Sequence, residues 1–411
     1  MTILSILVGK IVKAPSKLRG SGSAFPGLVV EKLQPSFLQK MLSKLPYGVV
    51  VILGTNGKTT TTKTVSELLQ KQGLRVFTNK TGSNFVRGVI SEILDVVPLS
   101  GRFDYDIAVL DLDAAHAVRF AQSTFLDYAL ILNIQRDQLD RFGEIDHTAE
   151  LLQSVAFKAR KCVVLNAEDS RVSKITGKKC VYFGLSDNMK EYFPNDDNLI
   201  CGHINPLSDE RECKVVLKNL EGQSSTYTIG GKDYTVNLSL KGRYNAFNVA
   251  AALTLVKEIL PDADLKSLLE GLSGIGSAFG RGEVFSLEGH ETELFLVKNP
   301  SAFQLSLDSF VDANHDYMIA INDLGADGHD VSWLWNVDFS ALKDVAVTSG
   351  IRSDDMALRL KYDNVAVGQS IPDIPEALKV FSKAGDNPKR IFATYTAMLE
   401  IRKTVIGRSI L

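Results

Sequence analysis

Residues 49–62, VVVILGTNGKTTTT, place a glycine-rich turn between an apolar run and a row of threonines. A short apolar run of this kind predicts a buried strand, and the threonines lead into a helix. In such a strand–turn–helix unit the amides of the turn and the helix N-terminus converge on an anion, and a Lys adds a full positive charge. The stretch therefore predicts a phosphate-binding loop in an α/β fold.

Seven consecutive residues form the expected loop: Gly54, Thr55, Asn56, Gly57, Lys58, Thr59 and Thr60. Only two residues separate its glycines, fewer than in the common P-loop. Because such a loop binds phosphate in the same way as the common P-loop, we expect Lys58 to reach the β- and γ-phosphates of a nucleotide and Thr59 to ligate Mg²⁺. The alternative is a glycine-rich turn before a threonine-rich helix, with no ligand.

Short apolar and helical segments alternate from Tyr47 onwards. Strands are predicted at 48–53, 74–77, 107–112, 128–134 and 162–165, and a helix is predicted at 59–72. Near-continuous apolar strands separated by helices indicate a parallel sheet covered on both faces. Functional side chains are then expected at the carboxyl ends of the strands.

Polar side chains follow two of these strands. Asp111 and Asp113 close one strand, and Asn133 with Asp137 follow the next. Since residues two apart on a strand share a face, Asp111 and Asp113 are candidates to hold Mg²⁺, directly or through water. The alternative is a solvated strand end.

At 411 residues the chain is long enough for two or three domains. Residues 1–46 are basic and predict a lead-in that begins with a short helix. Residues 47–280 are expected to form the nucleotide-binding domain, interrupted at about 185–235 by a polar, turn-rich insertion. A second glycine-rich stretch at 273–283 marks the boundary to a smaller α/β domain of residues 281–411, in which strands are predicted at 294–297 and 317–321.

The composition excludes several classes of protein. A net charge of −2 gives no reason to expect nucleic acid as a partner. No stretch is long and apolar enough to be a transmembrane segment. Four cysteines in a chain of this size make no disulfide framework, which fits a cytoplasmic location. None lies in a Cys-x-x-Cys pair, so Cys201 and Cys213 are weak candidates for zinc.

Three acids of the second domain, Asp323, Asp327 and Asp330, follow an apolar strand beside Trp333 and Trp335. This stretch is either an acidic loop with core tryptophans or part of an interface or active site. Composition alone does not decide between them.

Longer motifs are similar to those of a known family. GTNGKTTTT resembles the ATP-binding loop of the Mur ligases. The motifs that resemble the MurT family are RGSGSAFPGLV, RDQLDRFGEID, YNAFNVAAAL, GRGE, LVKNPSAFQ, NDLGADGHDVSWLW, SGIRSDDMALRLKY and TYTAMLEIR. The resemblance implies a Mur ligase-like P-loop central domain with a parallel sheet and a smaller, Rossmann-like C-terminal α/β domain.

The resemblance also implies a reaction. ATP, with Mg²⁺, phosphorylates the α-carboxylate of the D-glutamate in lipid II, and ammonia converts the acyl phosphate to D-isoglutamine. The ammonia comes from a separate GatD-like glutamine amidotransferase subunit, and the reaction takes place at the inner face of the membrane.

Roles for individual residues follow from the same resemblance. Lys58 and Thr59 are expected to hold the triphosphate and Mg²⁺, Asn248 to contact the adenine, and Arg281 to contact the nucleotide from the domain boundary. Asp330 is the acid expected to complete the partner's catalytic site, and Asp327 is the second choice.

Among the departures from the family pattern, two concern residues that bind metal ions. Family members carry Glu-x-Asp-Glu-Ala where this chain has Asp111-Leu-Asp113-Ala114-Ala115, although Asp also ligates Mg²⁺. Many carry a four-Cys zinc ribbon of which only Cys201 and Cys213 remain, so zinc is not expected. One alternative is a Mur- or folylpolyglutamate-type ligase that adds an amino acid without a partner. The other is a nucleotide-binding subunit that does not catalyse.

Overall fold

The computed structural model describes residues 2–18, 24–79, 85–135, 145–193, 211–276 and 281–407, without the side chains of 14–18 and 281. Its strands form one sheet of nine and one of six. Three helices precede the first strand: α1 (Thr2–Leu18), α2 (Phe25–Leu33) and α3 (Phe37–Leu42). The helix predicted at the start of the chain is therefore present, but with 17 residues it is longer than the short helix that was predicted. None of the described helices is both long and apolar enough to cross a membrane.

The larger sheet contains the predicted strands. They are β1 (Gly48–Leu53), β2 (Val76–Phe77), β3 (Ile107–Asp111), β4 (Leu126–Ile131), β5 (Ala159–Asn166), β6 (Cys180–Leu185), β7 (Cys213–Glu221), β8 (Ser224–Ile229) and β9 (Lys232–Asn237). The strand order is 2-3-1-4-5-6-7-8-9, and the pairs from β2 to β7 are parallel. The central strand β1 is fully buried, as expected for a parallel sheet between two helical layers.

Helices cover both faces of this sheet. They are α4 (Lys58–Lys71), α5 (Val86–Val96), α6 (Ala114–Ser123), α7 (Ile145–Ala156), α8 (Asp187–Lys190), α9 (Arg243–Ile259) and α10 (Leu265–Leu272). Alternate residues of β1 enter two different cores: Val51 packs with α1–α3 and α5–α7, and Val50 packs with α4, α9 and α10. The doubly covered α/β fold predicted from the apolar strands is confirmed.

The described part of the predicted insertion at 185–235 extends the sheet. Strands β7, β8 and β9 pair antiparallel with one another at the edge beyond β6. These strands were not predicted from the sequence, because half-buried edge strands carry polar residues on their open face and lack the apolar run of the central strands. Positive-φ glycines at 222, 230 and 231 make the two tight turns.

The smaller sheet has the order 10-11-15-12-13-14. Its strands are β10 (Arg281–Leu287), β11 (His290–Leu296), β12 (Asp316–Ala320), β13 (Asp344–Ser349), β14 (Ala366–Ile371) and β15 (Lys389–Ala393). Its helices are α11 (Pro300–Phe310), α12 (Ser353–Tyr362), α13 (Ile374–Phe381) and α14 (Tyr395–Ile406). Apart from the β10–β11 hairpin the strands are parallel, as the prediction of a second α/β unit requires. The boundaries at 46/47 and 280/281 stay predictions.

Candidate nucleotide-binding site

The loop between β1 and α4 has the geometry of a phosphate cradle. Gly54 and Gly57 have φ angles of 138° and 85°, which L-residues with a Cβ rarely adopt. A Cβ at Gly57 would also lie 2.8 Å from the side-chain amide of Asn248 on α9. Lys58 begins α4, and its Nζ donates to the carbonyl of Gly54 at 2.7 Å, closing the loop.

Residues 133–135, which follow β4, hold the loop in place. The side chain of Asn133 accepts from the amide of Asn56 at 2.8 Å and donates to its carbonyl at 3.0 Å. Thr55 and Gln135 exchange two more hydrogen bonds through the Thr55 hydroxyl. The loop is thus preorganised by its neighbouring strand end, as anion binding requires.

A buried carboxylate supports that neighbouring segment. Asp169, after β5, accepts hydrogen bonds from the amides of Ile134, Arg171 and Val172 at 2.8, 3.0 and 2.9 Å. Burial raises the pKa of the Asp169 carboxyl, partly offset by these backbone donors. Asp169 was not predicted from the sequence, although its position after an apolar strand was an available signal.

Asp111 and Asp113 both face the loop, but not for the predicted reason. Strand β3 ends at Asp111, and Asp113 precedes α6, so the two do not share a strand face. The hydroxyl of Thr59 donates to Asp111 Oδ2 at 2.7 Å, and Lys58 Nζ lies 3.3 Å from Asp113 Oδ1. Asn79 fixes Asp111 through paired hydrogen bonds to its backbone at 2.8 and 2.9 Å.

The charge balance keeps Asp113 ionised. Burial raises the pKa of its carboxyl, but the nearby charges of Lys58 and Lys298 outweigh burial, so the pKa lies below its ordinary value. Lys58 is thereby held beside the loop. Lys298 belongs to the second half of the chain, which brings a further positive charge towards this edge of the sheet.

The donor atoms fit Mg²⁺ better than a softer ion. Thr59 and Asp111 offer hard oxygen ligands beside the loop, which Mg²⁺ prefers alongside water and phosphate oxygens. Within the described ranges, no group of three or more His, Cys, Asp or Glu side chains could hold a metal by itself. A nucleotide-linked Mg²⁺ does not need such a group, because it keeps several waters and phosphate ligands.

A cleft opens beside the loop at the carboxyl ends of the strands. Its polar lining includes Asn133, Asn166, Glu168 and Asn248, and its aromatic lining is formed by Phe193, Tyr244 and Phe247. Asn248 therefore lies between the loop and the aromatic lining, and its contact with the adenine stays a prediction. A pocket that combines aromatic walls with polar groups suits a planar heterocycle.

The second α/β unit closes the cleft. Leu296, Ala302, Leu305 and Ser306 line it from β11 and α11. Asn299 caps α11 by accepting from the amide of Ala302 at 2.9 Å, and exchanges two side-chain hydrogen bonds of 3.2 Å with Asn56 of the loop. Asn299 was not a sequence candidate, although it lies in the LVKNPSAFQ motif.

The remaining predicted residues lie elsewhere. Arg281 begins β10, and its side chain is outside the described residues. Asp327 is buried and accepts from the amide of Thr396 at 2.8 Å and from its hydroxyl, at the start of α14. Asp330 is exposed and lines a separate surface groove with Trp335 and Arg359.

Of the two zinc candidates, the structure describes Cys213 alone. Cys201 lies outside the described part of the chain. The same is true of Asp137, the acid noted after one of the predicted strands. Cys213 begins β7, where burial and the neighbouring Glu168 raise the pKa of its thiol to about 12.

Comparisons with known proteins agree with this geometry. Residues 52–256 match the family model described as Mur ligase middle domain, and residues 296–398 match MurT ligase C-terminal. MurF from Thermotoga maritima in complex with ADP has a similar structure, with a TM-score of 0.65 at 16% identity over 92% of this chain and 84% of that one. A pseudomurein peptide ligase type C from Methanothermus fervidus gives 0.68 at 20% identity over 89% of this chain and 79% of that one.

Two curated relatives match along most of their length. The lipid II isoglutaminyl synthase (glutamine-hydrolyzing) subunit MurT of Streptococcus pneumoniae is 28% identical, over 100% of this chain and 98% of the relative. The subunit of the same name from Staphylococcus aureus is 28% identical over 88% of both chains. Residues 52–256 thus form a Mur ligase middle domain and residues 296–398 a MurT ligase C-terminal domain, and the chain is similar to these two MurT subunits along most of its length.

Proposed function

We propose that this chain is the ATP-dependent ligase subunit of a lipid II isoglutaminyl synthase that acts in peptidoglycan synthesis. The observation that carries the proposal is the match to two MurT subunits along most of the chain, combined with an intact nucleotide loop. The substrate is the stem peptide of lipid II, and the product carries D-isoglutamine.

The proposed chemistry has two steps. The α-carboxylate of the D-glutamate attacks the γ-phosphorus of ATP, which forms an acyl phosphate and releases ADP. Ammonia then attacks the carbonyl carbon, loses a proton and expels inorganic phosphate, so an amide replaces the carboxylate. Activation is needed because a free carboxylate has no adequate leaving group for an amine.

The loop residues supply binding and charge. Lys58, already beside Gly54 and Asp113, would move its charge to the terminal phosphates. Thr59 and Asp111 would hold Mg²⁺, which stabilises the charge that develops on the phosphate oxygens. Asn248 and the aromatic pocket beside Gly57 would receive the adenine.

The contact between Asn299 and Asn56 is part of the same proposal. Asn299 touches the loop from the second α/β unit, so nucleotide binding and the position of that unit are coupled. The acceptor carboxylate would then enter at the edge where the acids Asp111 and Asp113 and the charge of Lys298 meet.

Ammonia would come from a GatD-like glutaminase subunit. Among the described residues, the cysteines are Cys162, Cys180 and Cys213, and burial raises the thiol pKa of each. Glutamine hydrolysis needs a nucleophilic thiolate, which a raised pKa disfavours. These three are therefore poor nucleophiles, which supports a second chain as the source of ammonia.

The test uses the full chain co-purified with a glutaminase-type partner. With ATP, Mg²⁺ and glutamine, the pair should amidate lipid II, and Lys58→Ala should abolish the activity. Mass spectrometry follows the mass change of the stem peptide. Unmodified lipid II with the wild-type pair would overturn the proposal.

Two other functions are decided by the same assay. Turnover with a free amino acid and no glutamine would indicate a Mur- or folylpolyglutamate-type ligase. ATP binding without hydrolysis, with partner and substrate both present, would indicate a non-catalytic nucleotide-binding subunit. The family match favours the amidating ligase over both.

A further inference from the structure

Helix α1 is apolar on its outer side as well as on the side that packs on the core. Its buried inner side includes Ser5, Ile6 and Gly9, whereas Ile3, Leu4, Leu7 and Ile11 are exposed, between 42% and 63%. Ile3, Leu7 and Ile11 are spaced at i, i+4 and i+8, so they form one line along the helix. A surface helix of a folded domain normally has a polar outer side.

The inner side of α1 is fixed to the rest of the protein. Ser5 donates to Gln34 at 2.9 Å, Lys10 to the carbonyl of Leu94 at 2.8 Å, and Lys13 to the carbonyl of Ser91 at 2.7 Å. The helix therefore cannot rotate to bury its apolar line without losing these bonds. The apolar line is a fixed outward surface of the folded protein.

Two further observations extend this surface. Ile3 borders the turn at Gly101, where a Cβ would lie 3.9 Å from its Cγ1, and Leu99 of the same turn is half exposed. Phe25 and Leu33 of α2, the neighbour of α1, are also exposed. Contiguous apolar surface of this kind marks an interaction site more often than a solvent face.

The charge around this surface identifies its occupant. Residues 1–46 contain seven of the chain's 46 Lys and Arg residues but only one of its 48 Asp and Glu residues. The exposed basic residues of this segment include Lys32, Lys40 and Lys44. An apolar helix face within a basic segment matches an anionic bilayer, into whose headgroup region the side chains insert.

We propose that α1 is an interfacial helix by which the protein docks on an anionic membrane surface, with Ile3, Leu7 and Ile11 inserted. This inference rests on the proposed function, because the lipid-linked substrate would lie in that membrane. Docking would hold the nucleotide cleft close to substrate that moves only in two dimensions. Salt should weaken binding, because part of the attraction is between unlike charges.

The test measures binding to vesicles without any substrate. Full-length protein should sediment with vesicles of phosphatidylglycerol and phosphatidylcholine, less with phosphatidylcholine alone, and less as salt rises. The variant Ile3→Ser/Leu7→Ser/Ile11→Ser should bind about tenfold more weakly or worse, since affinity scales with buried apolar area. Phe157→Ser, which removes an exposed apolar side chain after α7, should bind like the wild type.

Three results would overturn the proposal. The first is equal vesicle binding by the triple variant and the wild type. The second is a wild-type dimer that the triple variant converts to monomer, because the face would then bind a second copy. The third is loss of the glutaminase partner by the triple variant.

An activity comparison separates this proposal from the proposed function. With the partner present, the triple variant should amidate a lipid-free stem-peptide substrate at the wild-type rate and vesicle-embedded lipid II more slowly. Absence of amidation in the wild type would contradict the proposed function while leaving the vesicle result interpretable. An unchanged thermal midpoint excludes misfolding as the cause.

Discussion

Asn56 of the nucleotide loop and Asn299 at the start of α11 exchange two side-chain hydrogen bonds of 3.2 Å. The two residues are separated by 243 positions in the sequence. Asn299 is buried, and the same side chain caps its helix. Because of this contact, a change in the conformation of the loop directly alters the contacts of the second α/β unit.

The first prediction concerns that contact. Asn299→Ala should cost about 1 kcal/mol of stability through the lost cap. It should also raise the KM for ATP by about tenfold, because two hydrogen bonds to the loop are lost. Steady-state kinetics with ATP as the varied substrate measures the effect.

A matched control removes a cap without touching the loop. Asp373 caps α13, a helix of the same α/β unit as α11, by accepting from the amide of Glu376 at 2.8 Å. Asp373→Ala should lose similar stability with an unchanged KM. Asn299→Asp, which keeps both acceptor roles, should be intermediate. An equal KM shift in the two Ala variants would show that the contact is not the cause.

The second prediction uses two glycines with nearly the same backbone. Gly57 and Gly73 have φ angles of 85° and 86°, so Ala costs about 1–2 kcal/mol of strain at either. A Cβ at Gly73 meets nothing within 4 Å, whereas at Gly57 it meets the Asn248 amide at 2.8 Å. Only Gly57→Ala should therefore weaken ATP binding, measured by calorimetry. Equal affinities for both variants would contradict the role of that close approach.

How much of the site can be predicted from the sequence depends on how far apart the site residues lie along the chain. The loop from Gly54 to Thr60 was identifiable because its glycines, Lys and threonines are contiguous. Asp111 was identifiable from its position at a strand end, although Asp113 reaches Lys58 from a helix start instead of a shared strand face.

The parts that were missed depend on long-range packing. Asn299 and Asp169 contact the loop or its support only because separate segments fold together. Edge strands β7–β9 lack a distinctive apolar run, so their pattern resembles a polar insertion. Asp327 was a candidate through the family resemblance, which does not indicate its contact with Thr396, 69 residues away.

The third prediction separates the two acids proposed for the partner site. Asp330 is exposed, so Asp330→Ala should change stability by about 0.5 kcal/mol or less. If it completes the glutaminase site, the variant loses glutamine-driven amidation but keeps amidation driven by added ammonium. Assays of the purified complex with each nitrogen source measure this.

Asp327 should behave in the opposite way. Asp327→Ala should cost about 1–2 kcal/mol, because the Thr396 amide and hydroxyl lose their acceptor. Asp327→Asn should restore most of that stability, since an amide can accept from the amide of Thr396 and donate to its hydroxyl. Burial raises the pKa of Asp327, which also favours a neutral side chain there. Selective loss of glutamine use by Asp327→Asn would reverse the assignment.

The fourth prediction concerns Glu293, which links the two halves of the chain. Its carboxylate is buried and accepts from Lys241 and from Arg390 at 2.7 Å each. Glu293→Gln should cost about 3 kcal/mol, typical of breaking a buried ion pair. Glu270→Gln, in the exposed pair of Glu270 with Lys266, should cost about 0.5 kcal/mol or less.

The Glu293 contribution should also depend on pH. Burial raises the pKa of this carboxyl, but the bonds from Lys241 and Arg390 outweigh it, so the folded-state pKa lies below the ordinary value of 4.5. The stabilisation is therefore complete well above pH 4.5 and is lost as the pH falls through the folded-state pKa. Denaturant unfolding at several pH values should show wild type and Glu293→Gln converging in acid. A constant difference between them down to the lowest pH would contradict the assignment of this titration to Glu293.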